Sequence, residues 1–293
     1  MEKEGRIIKG IGGFYTVVSG DEEHICRPRG KFRVKGDKPM VGDYVTFEES
    51  TDLKEGYLIA IHPRKNKLRR PEVSNVDTLL MVAAPKSPAA DLILMDQLLI
   101  NAEQMGMDVV FCINKMDLDK AEATAILDQY KHIERRLMTS TVTGEGVDEL
   151  KAYCTGHTVC FAGQSGVGKS SLLNQILPHA ELAVGDVSRK IARGKHTTRH
   201  AQLLPFAEGG YLVDTPGFSL LELPLMEPEK LKDFYPDFSD YEGQCRFNGC
   251  LHHKEPGCAV KDSIKDGTLH EGRHRRYSQL LEEMTERWKH RYQ

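Results

Sequence analysis

Two short motifs, Asn114–Asp117 and Gly163–Ser170, occur in an unusual order along this chain. Asn114-Lys115-Met116-Asp117 has the pattern that recognises a guanine base, and it precedes a glycine-rich phosphate-binding pattern, Gly163–Ser170. In ordinary guanine-nucleotide hydrolases the phosphate loop comes before the base-recognition motif. The chemistry requires both loops at one edge of a sheet but sets no chain order. The sequence therefore predicts a circularly permuted phosphate-loop domain.

The phosphate loop has a mechanical explanation. Its glycines allow backbone N–H groups to close around phosphates, Lys169 reaches the β- and γ-phosphates, and the Ser170 hydroxyl binds Mg²⁺. A short apolar strand precedes it and a helix follows, as such a loop needs. The predicted phosphate-binding residues are Gly163, Gln164, Ser165, Gly166, Val167, Gly168, Lys169, Ser170 and Ser171.

The base is predicted from the earlier motif. A carboxylate at Asp117 accepts two hydrogen bonds, from the guanine ring N–H and the exocyclic amine. Adenine offers neither donor there and would leave the charge unpaired, which opposes an ATPase or kinase interpretation. The Lys115 stem is expected to lie along the base. The predicted base-binding residues are Asn114, Lys115, Met116 and Asp117.

Three weaker signals gain meaning from their positions. Asp214-Thr215-Pro216-Gly217 follows a predicted strand, where a Mg²⁺-linked carboxylate is expected to emerge. Lys195-His196-Thr197-Thr198 lies where a threonine can reach Mg²⁺ and the γ-phosphate. Ser140 and Thr141 follow another strand, in a loop that can brace the base. The predicted Mg²⁺ ligands are Ser170, Thr198 and Asp214, and Thr197 and Gly217 complete the predicted nucleotide site.

Length and composition agree with several domains. The chain has 293 residues, 40% of them apolar, and a formal net charge of −3, so any contact with RNA must be local. No apolar run is long enough to span a membrane, and the charged start lacks a signal-peptide core. A cytoplasmic location is expected, with reduced, buried thiols at Cys26, Cys112, Cys154 and Cys160.

Residues 1–68 contain five short predicted strands, which fit an OB-fold barrel. A basic stretch in this segment either contacts RNA or is solvated; it consists of Arg27, Arg29, Lys31, Arg33 and Lys35. The segment from His62 to Pro71 is expected to be a linker whose basic residues either track a phosphate backbone or stay in solvent.

Residues 69–223 alternate strands and helices, as expected for a parallel sheet covered on both faces, and residues 224–293 contain a cysteine–histidine cluster. Three thiolates and one imidazole suffice for a closed tetrahedral, structural Zn²⁺ site at Cys245, Cys250, Cys258 and either His252 or His253. An apolar stripe of Tyr277, Leu280, Leu281, Met284 and Trp288 predicts a helix packed on its own domain. Arg273, Arg275 and Arg276, just before this stripe, are expected either to contact RNA or to form a solvated turn.

The motif order, continuing into Lys-His-Thr-Thr, Asp-Thr-Pro-Gly-Phe and the cysteine cluster, resembles the RsgA (YjeQ/YloQ) family of small-ribosomal-subunit biogenesis GTPases. The resemblance covers essentially the whole chain. It implies an OB-fold, a permuted GTPase domain and a zinc domain, with GTP hydrolysis stimulated by the small subunit and its rRNA late in maturation. It also implies that His252, two residues after the second cysteine, is the zinc ligand.

Two positions depart from common GTPase patterns. Phe218 stands where many GTPases have a water-orienting glutamine, so a slow intrinsic rate is expected and His196 becomes the candidate for positioning water. Gly166 stands where some relatives have an asparagine that holds K⁺. A nucleotide-gated module for another structured RNA, with incidental hydrolysis, is the alternative function. A monomer is the default expectation.

Overall fold

The computed structural model describes residues 2–30, 32, 38–49, 55–69, 71–177, 201–214 and 223–291, and of Asp214 the backbone alone. The basic residues Lys31, Arg33 and Lys35 lie outside this part of the chain, as does Phe218.

The N-terminal segment forms the expected five-stranded barrel. Its strands are β1 (Glu2–Ile11), β2 (Phe14–Ser19), β3 (Glu22–Pro28), β4 (Tyr44–Glu49) and β5 (Glu55–Ile61). They pair in the order β1-β2-β3-β5-β4, and β4 closes on β1; β3 and β5 are parallel and the other pairs antiparallel. Because side chains alternate along a strand, Val17, Cys26 and Phe47 fill the interior while their neighbours face outward.

The predicted linker is more structured than its prolines indicate. It includes β6 (Lys67–Arg69), which forms a hairpin with β7 (Glu72–Ser74) just beyond the linker and buries Leu68. Arg64 neither faces solvent nor is free to track a phosphate backbone, because its guanidinium donates to both carboxylate oxygens of Asp43, at 2.6 and 2.7 Å. Asp43 is fully buried, and a buried carboxylate requires such a partner.

The central segment has the predicted α/β architecture. Its strands are β8 (Thr78–Ala83), β9 (Asp108–Ile113), β10 (Arg135–Met138), β11 (Thr158–Ala162), β12 (Gln202–Pro205) and β13 (Tyr211–Asp214). They pair in the order β10-β9-β8-β11-β13-β12, all parallel except β12. The helices are α1 (Leu92–Gln104), α2 (Lys120–Asp128), α3 (Val147–Cys154) and α4 (Lys169–Ile176).

The two faces of this sheet have separate cores. Alternate residues of β8 divide between them: Leu79 and Met81 pack in the cluster that contains α1, whereas Leu80 and Val82 pack in the cluster that contains α3 and α4. This burial on both faces explains why β8 is apolar at consecutive positions.

The barrel and the central sheet are continuous. Lys9 of β1 pairs with Gln202 of β12, so eleven of the described strands form one hydrogen-bonded sheet. Buried Arg6 reinforces the junction by donating to Thr158 Oγ1 and to the Asn75 carbonyl, each at 2.9 Å. Burial lowers the pKa of this guanidinium, which also lies near the rings of Tyr44 and Tyr211.

The C-terminal segment packs on helix α1. It comprises two 3-10 segments (Pro228–Phe234 and Pro236–Tyr241), α5 (Ala259–Lys265) and α6 (Glu271–Lys289). The predicted stripe on α6 is confirmed, because four of its five side chains are buried and Trp288 is partly buried; the buried four are Tyr277, Leu280, Leu281 and Met284. They pack against Leu231, Tyr235 and Phe238, with Ile100 from α1.

Two further expectations can be compared with this fold. Cys26, Cys112, Cys154 and Cys160 are free and buried, as predicted. Among the described helices, none combines the length and apolar character needed to cross a membrane.

Candidate functional site

The phosphate loop lies between the end of β11 and the start of α4. Gly163 has φ +139°, and a Cβ there would lie 2.0 Å from the Val82 carbonyl oxygen. Gly168 has φ +97°, and its Cβ would lie 2.3 Å from Asn114 Nδ2. Only glycine fits these two positions, since both the backbone conformation and the adjacent atoms exclude a side chain.

Lys169 begins α4 with its ammonium folded over this loop. Nζ donates to the carbonyls of Gly163 and Gln164, at 2.7 and 2.8 Å. Burial lowers the pKa of Lys169 to about 8. Among the described residues no carboxylate pairs with it, so a ligand anion is the counter-charge that would best restore its usual pKa. Ser170, the next residue, is exposed at the same edge.

Asn114 joins the base-recognition motif to the phosphate loop. It is fully buried; Nδ2 donates to the Val167 carbonyl at 2.9 Å, and Oδ1 accepts from Thr139 Oγ1 at 3.1 Å. Lys115 has φ +60°, and its Nζ donates to the carbonyls of Gly166 (2.7 Å) and Ser87 (2.5 Å). The rotated motifs therefore meet through direct hydrogen bonds.

The remaining base-recognition residues lie at the same edge. Asp117 is exposed in a 3-10 turn, Met116–Leu118, whose Met116 side chain is buried. Ser140 is buried, and its hydroxyl accepts from the backbone N–H groups of Val142 and Thr143. The Thr141 carbonyl accepts from Gln175 Nε2 of α4 at 2.6 Å. The 140–141 loop is therefore attached to the helix that follows the phosphate loop.

One neighbour of the site was not predicted from the sequence. The segment Pro85–Asp91 after β8 is attached to the phosphate loop by Gln164, whose Nε2 donates to the Ala89 carbonyl at 2.8 Å. The Asp91 N–H donates to Gln164 Oε1 at 2.6 Å. Asp91 also caps α1, accepting from the Leu94 N–H. Pro85 and Pro88, directly after a buried strand, were the available sign of an ordered loop here.

Several predicted residues lie wholly or partly outside the described chain. His196, Thr197, Thr198 and Gly217 belong to the ranges 178–200 and 215–222. The backbone of Asp214 ends β13, which is parallel to and paired with β11. It therefore emerges at the sheet edge that carries the phosphate loop.

Cys245, Cys250, His252 and Cys258 come together in the C-terminal segment, with their donor atoms all within 4.8 Å of one another. The Cys245 and Cys258 sulfurs lie 4.0 Å apart, and His252 Nδ1 lies 3.6 and 3.4 Å from them. A tetrahedral Zn²⁺ with sulfurs at about 2.3 Å separates two of them by about 3.8 Å. The arrangement therefore fits a four-ligand zinc site.

The structure also distinguishes the two candidate histidines. His253 Nε2 lies 3.0 Å from the Glu282 carboxylate and is not part of the cluster. His252 has φ +56°, and its carbonyl lies 2.6 Å from His274 Nε2. The expectation that His252 completes the set agrees with this geometry.

Neither expectation for the arginines before the stripe holds for Arg273 and Arg276. Both are buried, and both donate at 2.8 Å to the carboxylate of Asp96 on α1. The hydroxyls of Tyr130 (2.6 Å) and Tyr235 (3.4 Å) contact the same carboxylate. We call these five residues the Asp96 network. A fully buried carboxylate attracts guanidinium donors away from solvent, which is why these arginines face inward; Arg275 remains exposed.

Family models match most of the chain. The model described as RsgA GTPase matches residues 61–224, and that described as RsgA N-terminal domain matches residues 4–58. A protein of Caldanaerobacter subterraneus subsp. tengcongensis, named small ribosomal subunit biogenesis GTPase RsgA, is 43% identical over 295 residues, covering 100% of this chain and 99% of its own. A protein of the same name from Alkaliphilus metalliredigens is also 43% identical, with 96% and 97% covered.

Two solved structures are similar to this chain over nearly its whole length. The crystal structure of YjeQ from Thermotoga maritima is similar with a TM-score of 0.83 and 36% identity, over 97% of this chain and 99% of that one. The crystal structure of YloQ, described as a circularly permuted GTPase, is similar with a TM-score of 0.78 and 37% identity, over 98% and 96%.

Proposed function

Because the chain belongs to the RsgA GTPase family, we propose that it binds GTP at the edge described above and hydrolyses it in a cycle coupled to late assembly of the small ribosomal subunit. GTP binding favours docking on the maturing subunit, and hydrolysis to GDP and phosphate favours release. The names of the relatives support the ribosomal partner.

The observation that best supports GTP chemistry is the pair of bonds made by Asn114. Its side chain joins Val167 of the phosphate loop to Thr139 beside the base-recognition loop. Segments far apart in the chain thereby meet at one edge of the sheet, which is what a ligand with a phosphate end and a base end requires.

The proposed roles follow the positions of the residues. Asp117 accepts from the guanine, Ser140 and Thr141 brace the base, and Lys169 contacts the β- and γ-phosphates. Ser170, Thr198 and Asp214 would hold Mg²⁺, which neutralises charge on the phosphates when bound. The loop N–H groups from Gly163 to Ser171 bind phosphate oxygens, with Thr197 and Gly217 at the γ-phosphate.

Water activation is proposed for His196. Phe218 cannot form a hydrogen bond at the position where many GTPases have a glutamine, so a slow intrinsic rate and stimulation by the subunit are expected. Exchange of His196 for Ala should leave GTP affinity nearly intact and abolish the stimulated turnover.

The flanking domains are proposed to select the partner. Residues 1–68 act as an OB-fold that contacts rRNA, residues 69–223 as the GTPase domain, and residues 224–293 as the zinc domain. In the last, Cys245, Cys250, His252 and Cys258 hold one structural Zn²⁺, since a site with four protein ligands leaves no position for water. A zinc content near one per chain tests this role. The protein is proposed to act as a monomer in the cytoplasm.

The decisive experiment is the initial rate of GTP hydrolysis at fixed salt, alone and with small subunits, large subunits or an unrelated structured RNA. Stimulation by small subunits alone supports the proposal. Equal stimulation by any RNA, or none, favours the gated RNA-binding alternative. In the same assay Asp117→Asn should shift preference from guanine to xanthine nucleotides, because the amide can donate where the carboxylate only accepts.

A further inference from the structure

A carboxylate beside the cysteine–histidine cluster holds the backbone on both sides of His252. Glu255 Oε1 accepts from the Leu251 N–H, and Oε2 accepts from the His253 N–H, each at 2.9 Å. Glu255 is not among the four residues whose donor atoms form the cluster. Its two oxygens are instead bonded to the peptide groups that flank the predicted zinc ligand.

The other polar groups of this backbone also have partners. The His252 N–H donates to Cys250 Sγ at 3.4 Å, and the Leu251 carbonyl accepts from the Tyr277 hydroxyl at 2.7 Å. The His252 carbonyl lies 2.6 Å from His274 Nε2. Together with the two carboxylate bonds, these contacts give a partner to each of the five backbone N–H and C=O groups centred on His252.

The conformation of His252 requires such support. Its φ of +56° lies in the left-handed region, which is uncommon for a residue with a side chain and persists where the surroundings determine it. This backbone directs the imidazole, so that Nδ1 lies 3.6 and 3.4 Å from the sulfurs of Cys245 and Cys258. Relaxation to an ordinary φ would turn the Cα–Cβ bond and carry the imidazole away from them.

Two glutamates contact this loop in different ways. Glu282 of α6 lies 3.0 Å from both His253 Nε2 and Lys254 Nζ, so it contacts side chains of the loop. Glu255 contacts the backbone, and an N–H bond to a carboxylate is stronger than one to a neutral acceptor. Loss of Glu255 should therefore loosen the backbone that carries His252, whereas loss of Glu282 should affect only the outer surface of the loop.

We propose that Glu255 is a positioning residue of the zinc site, which fixes the backbone of residues 251–253 so that His252 Nδ1 faces the sulfurs before the ion binds. This rests on the structural Zn²⁺ proposed above and adds a residue outside the ligand set. Removal of a group that orients metal ligands without touching the metal typically reduces metal affinity by about ten- to a hundredfold.

The test compares the zinc affinity of full-length variants at one pH, by competition with a chromophoric chelator. Glu255→Ala should weaken Zn²⁺ binding by about ten- to a hundredfold, because two N–H groups lose their acceptor and the ion must order the loop. Glu255→Gln keeps one acceptor oxygen and should recover part of the loss. Glu282→Ala is the matched control and should bind Zn²⁺ as wild type does. Wild-type affinity in Glu255→Ala overturns the proposal, as does an equal loss in Glu282→Ala.

A double-mutant cycle distinguishes positioning of His252 from general support of the loop. His252→Ala removes the imidazole and leaves the three cysteines as ligands. If Glu255 acts through His252, Glu255→Ala should cause little further loss of zinc affinity in the His252→Ala background. A further loss as large as that in the wild-type background would mean that Glu255 supports the loop as a whole, and the proposal would be wrong.

Denaturation followed by Trp288 fluorescence, with and without Zn²⁺, provides a second measurement. Glu255→Ala should lower the free energy of unfolding more in the zinc-loaded protein than in the zinc-free protein, because lost zinc affinity is lost stability. Equal losses in the two forms would make Glu255 a purely structural residue and reject the proposal.

The zinc content of the wild-type protein separates this proposal from the one on which it rests. Zinc near one ion per chain, with unchanged affinity in Glu255→Ala, rejects the positioning role alone. Wild-type protein that binds no stoichiometric zinc rejects the zinc site itself, and the role of Glu255 with it.

Discussion

Lys169 is a partly buried cation and Arg273 a fully buried one, and the two charges have different partners. Lys169 at the nucleotide edge donates to two backbone carbonyls, and burial lowers its pKa to about 8. Burial alone would also lower the pKa of Arg273, but the carboxylates of Asp96 and Asp237 raise it above the usual value. The first cation is left for an anion that arrives with a ligand, whereas the second is already paired by the fold.

The comparison separates a proposed binding residue from a structural one. The absence of a paired carboxylate does not by itself indicate a ligand site, as Arg6 shows. Arg6 is buried with carbonyl and hydroxyl partners and has no bonded carboxylate among the described residues. It lies between two tyrosine rings at the junction with the barrel instead of at an open loop. A buried cation without a carboxylate therefore indicates a ligand site only where the phosphate-binding backbone is also present.

Removal of Asp96, one of the two carboxylates paired with Arg273, should have the largest effect. Asp96→Ala leaves two buried guanidinium groups without their shared carboxylate, and should lower the free energy of unfolding by about 3–5 kcal/mol. Trp288 is the single tryptophan and lies on α6, so its fluorescence reports the C-terminal segment during denaturation. The exposed carboxylate variant Asp240→Ala should stay within about 0.5 kcal/mol of wild type. Equal stability of the two variants would show that the Asp96 network does not stabilise the contact between the C-terminal segment and α1.

Substitution of Lys169 is expected to reduce activity without reducing stability. Lys169→Met should lower kcat/KM for GTP by at least about a hundredfold, because a charged donor to the phosphates is lost. Its free energy of unfolding at pH 7 should be equal to or above that of wild type, since the variant no longer buries an unpaired charge. Lys151→Met, at an exposed position on α3, should change neither quantity. A large loss of stability in Lys169→Met would make this lysine structural, like Arg273.

Sequence patterns predicted a site where its residues are close together in the chain or where its motif is specific. The cysteine–histidine cluster lies within residues 245–258, and its spacing predicted the four ligands with one ambiguity at His252 and His253. The nucleotide motifs predicted that two distant loops meet. They did not predict that Gln164 attaches the Pro85–Asp91 segment, because hydrogen bonds to backbone groups leave no sequence pattern.

The Asp96 network was missed for a different reason. Its hydrogen bonds join residues 34 to 180 positions apart, and a run of arginines looks the same whether it is solvated or buried. Helical periodicity contained an unused signal, because Arg273 and Arg276 continue the stripe through Tyr277 and Leu280 while Arg275 falls off it. Extending an apolar stripe through charged positions would have predicted a buried ion pair.

The pKa of Lys169 predicts how nucleotide affinity depends on pH. Below pH 8 the lysine is charged in the free protein, so affinity should be flat. Above pH 8 the free protein loses this proton and must take it up again to bind phosphate, so affinity should fall by about tenfold between pH 7 and 9. Calorimetry in buffers of different ionisation enthalpy measures the proton uptake. The nucleotide affinity of Lys169→Arg should not fall over this pH range. A fall of the same size in this variant would assign the titration to another group.

The smallest effect is expected from a neutral member of the Asp96 network. Tyr130→Phe removes one hydroxyl donor at 2.6 Å, but Asp96 keeps both guanidinium partners, so the loss should be about 1 kcal/mol. Tyr235→Phe is the matched control, since its hydroxyl is 3.4 Å from the same carboxylate and should matter less. Denaturant unfolding of both variants, alone and in the Asp96→Ala background, measures the coupling. If the tyrosine hydroxyls act through Asp96, their effects should disappear when the carboxylate is absent. Unchanged effects in that background would mean that the hydroxyls act through other partners, such as the Leu92 carbonyl, which accepts from the Tyr130 hydroxyl at 3.2 Å.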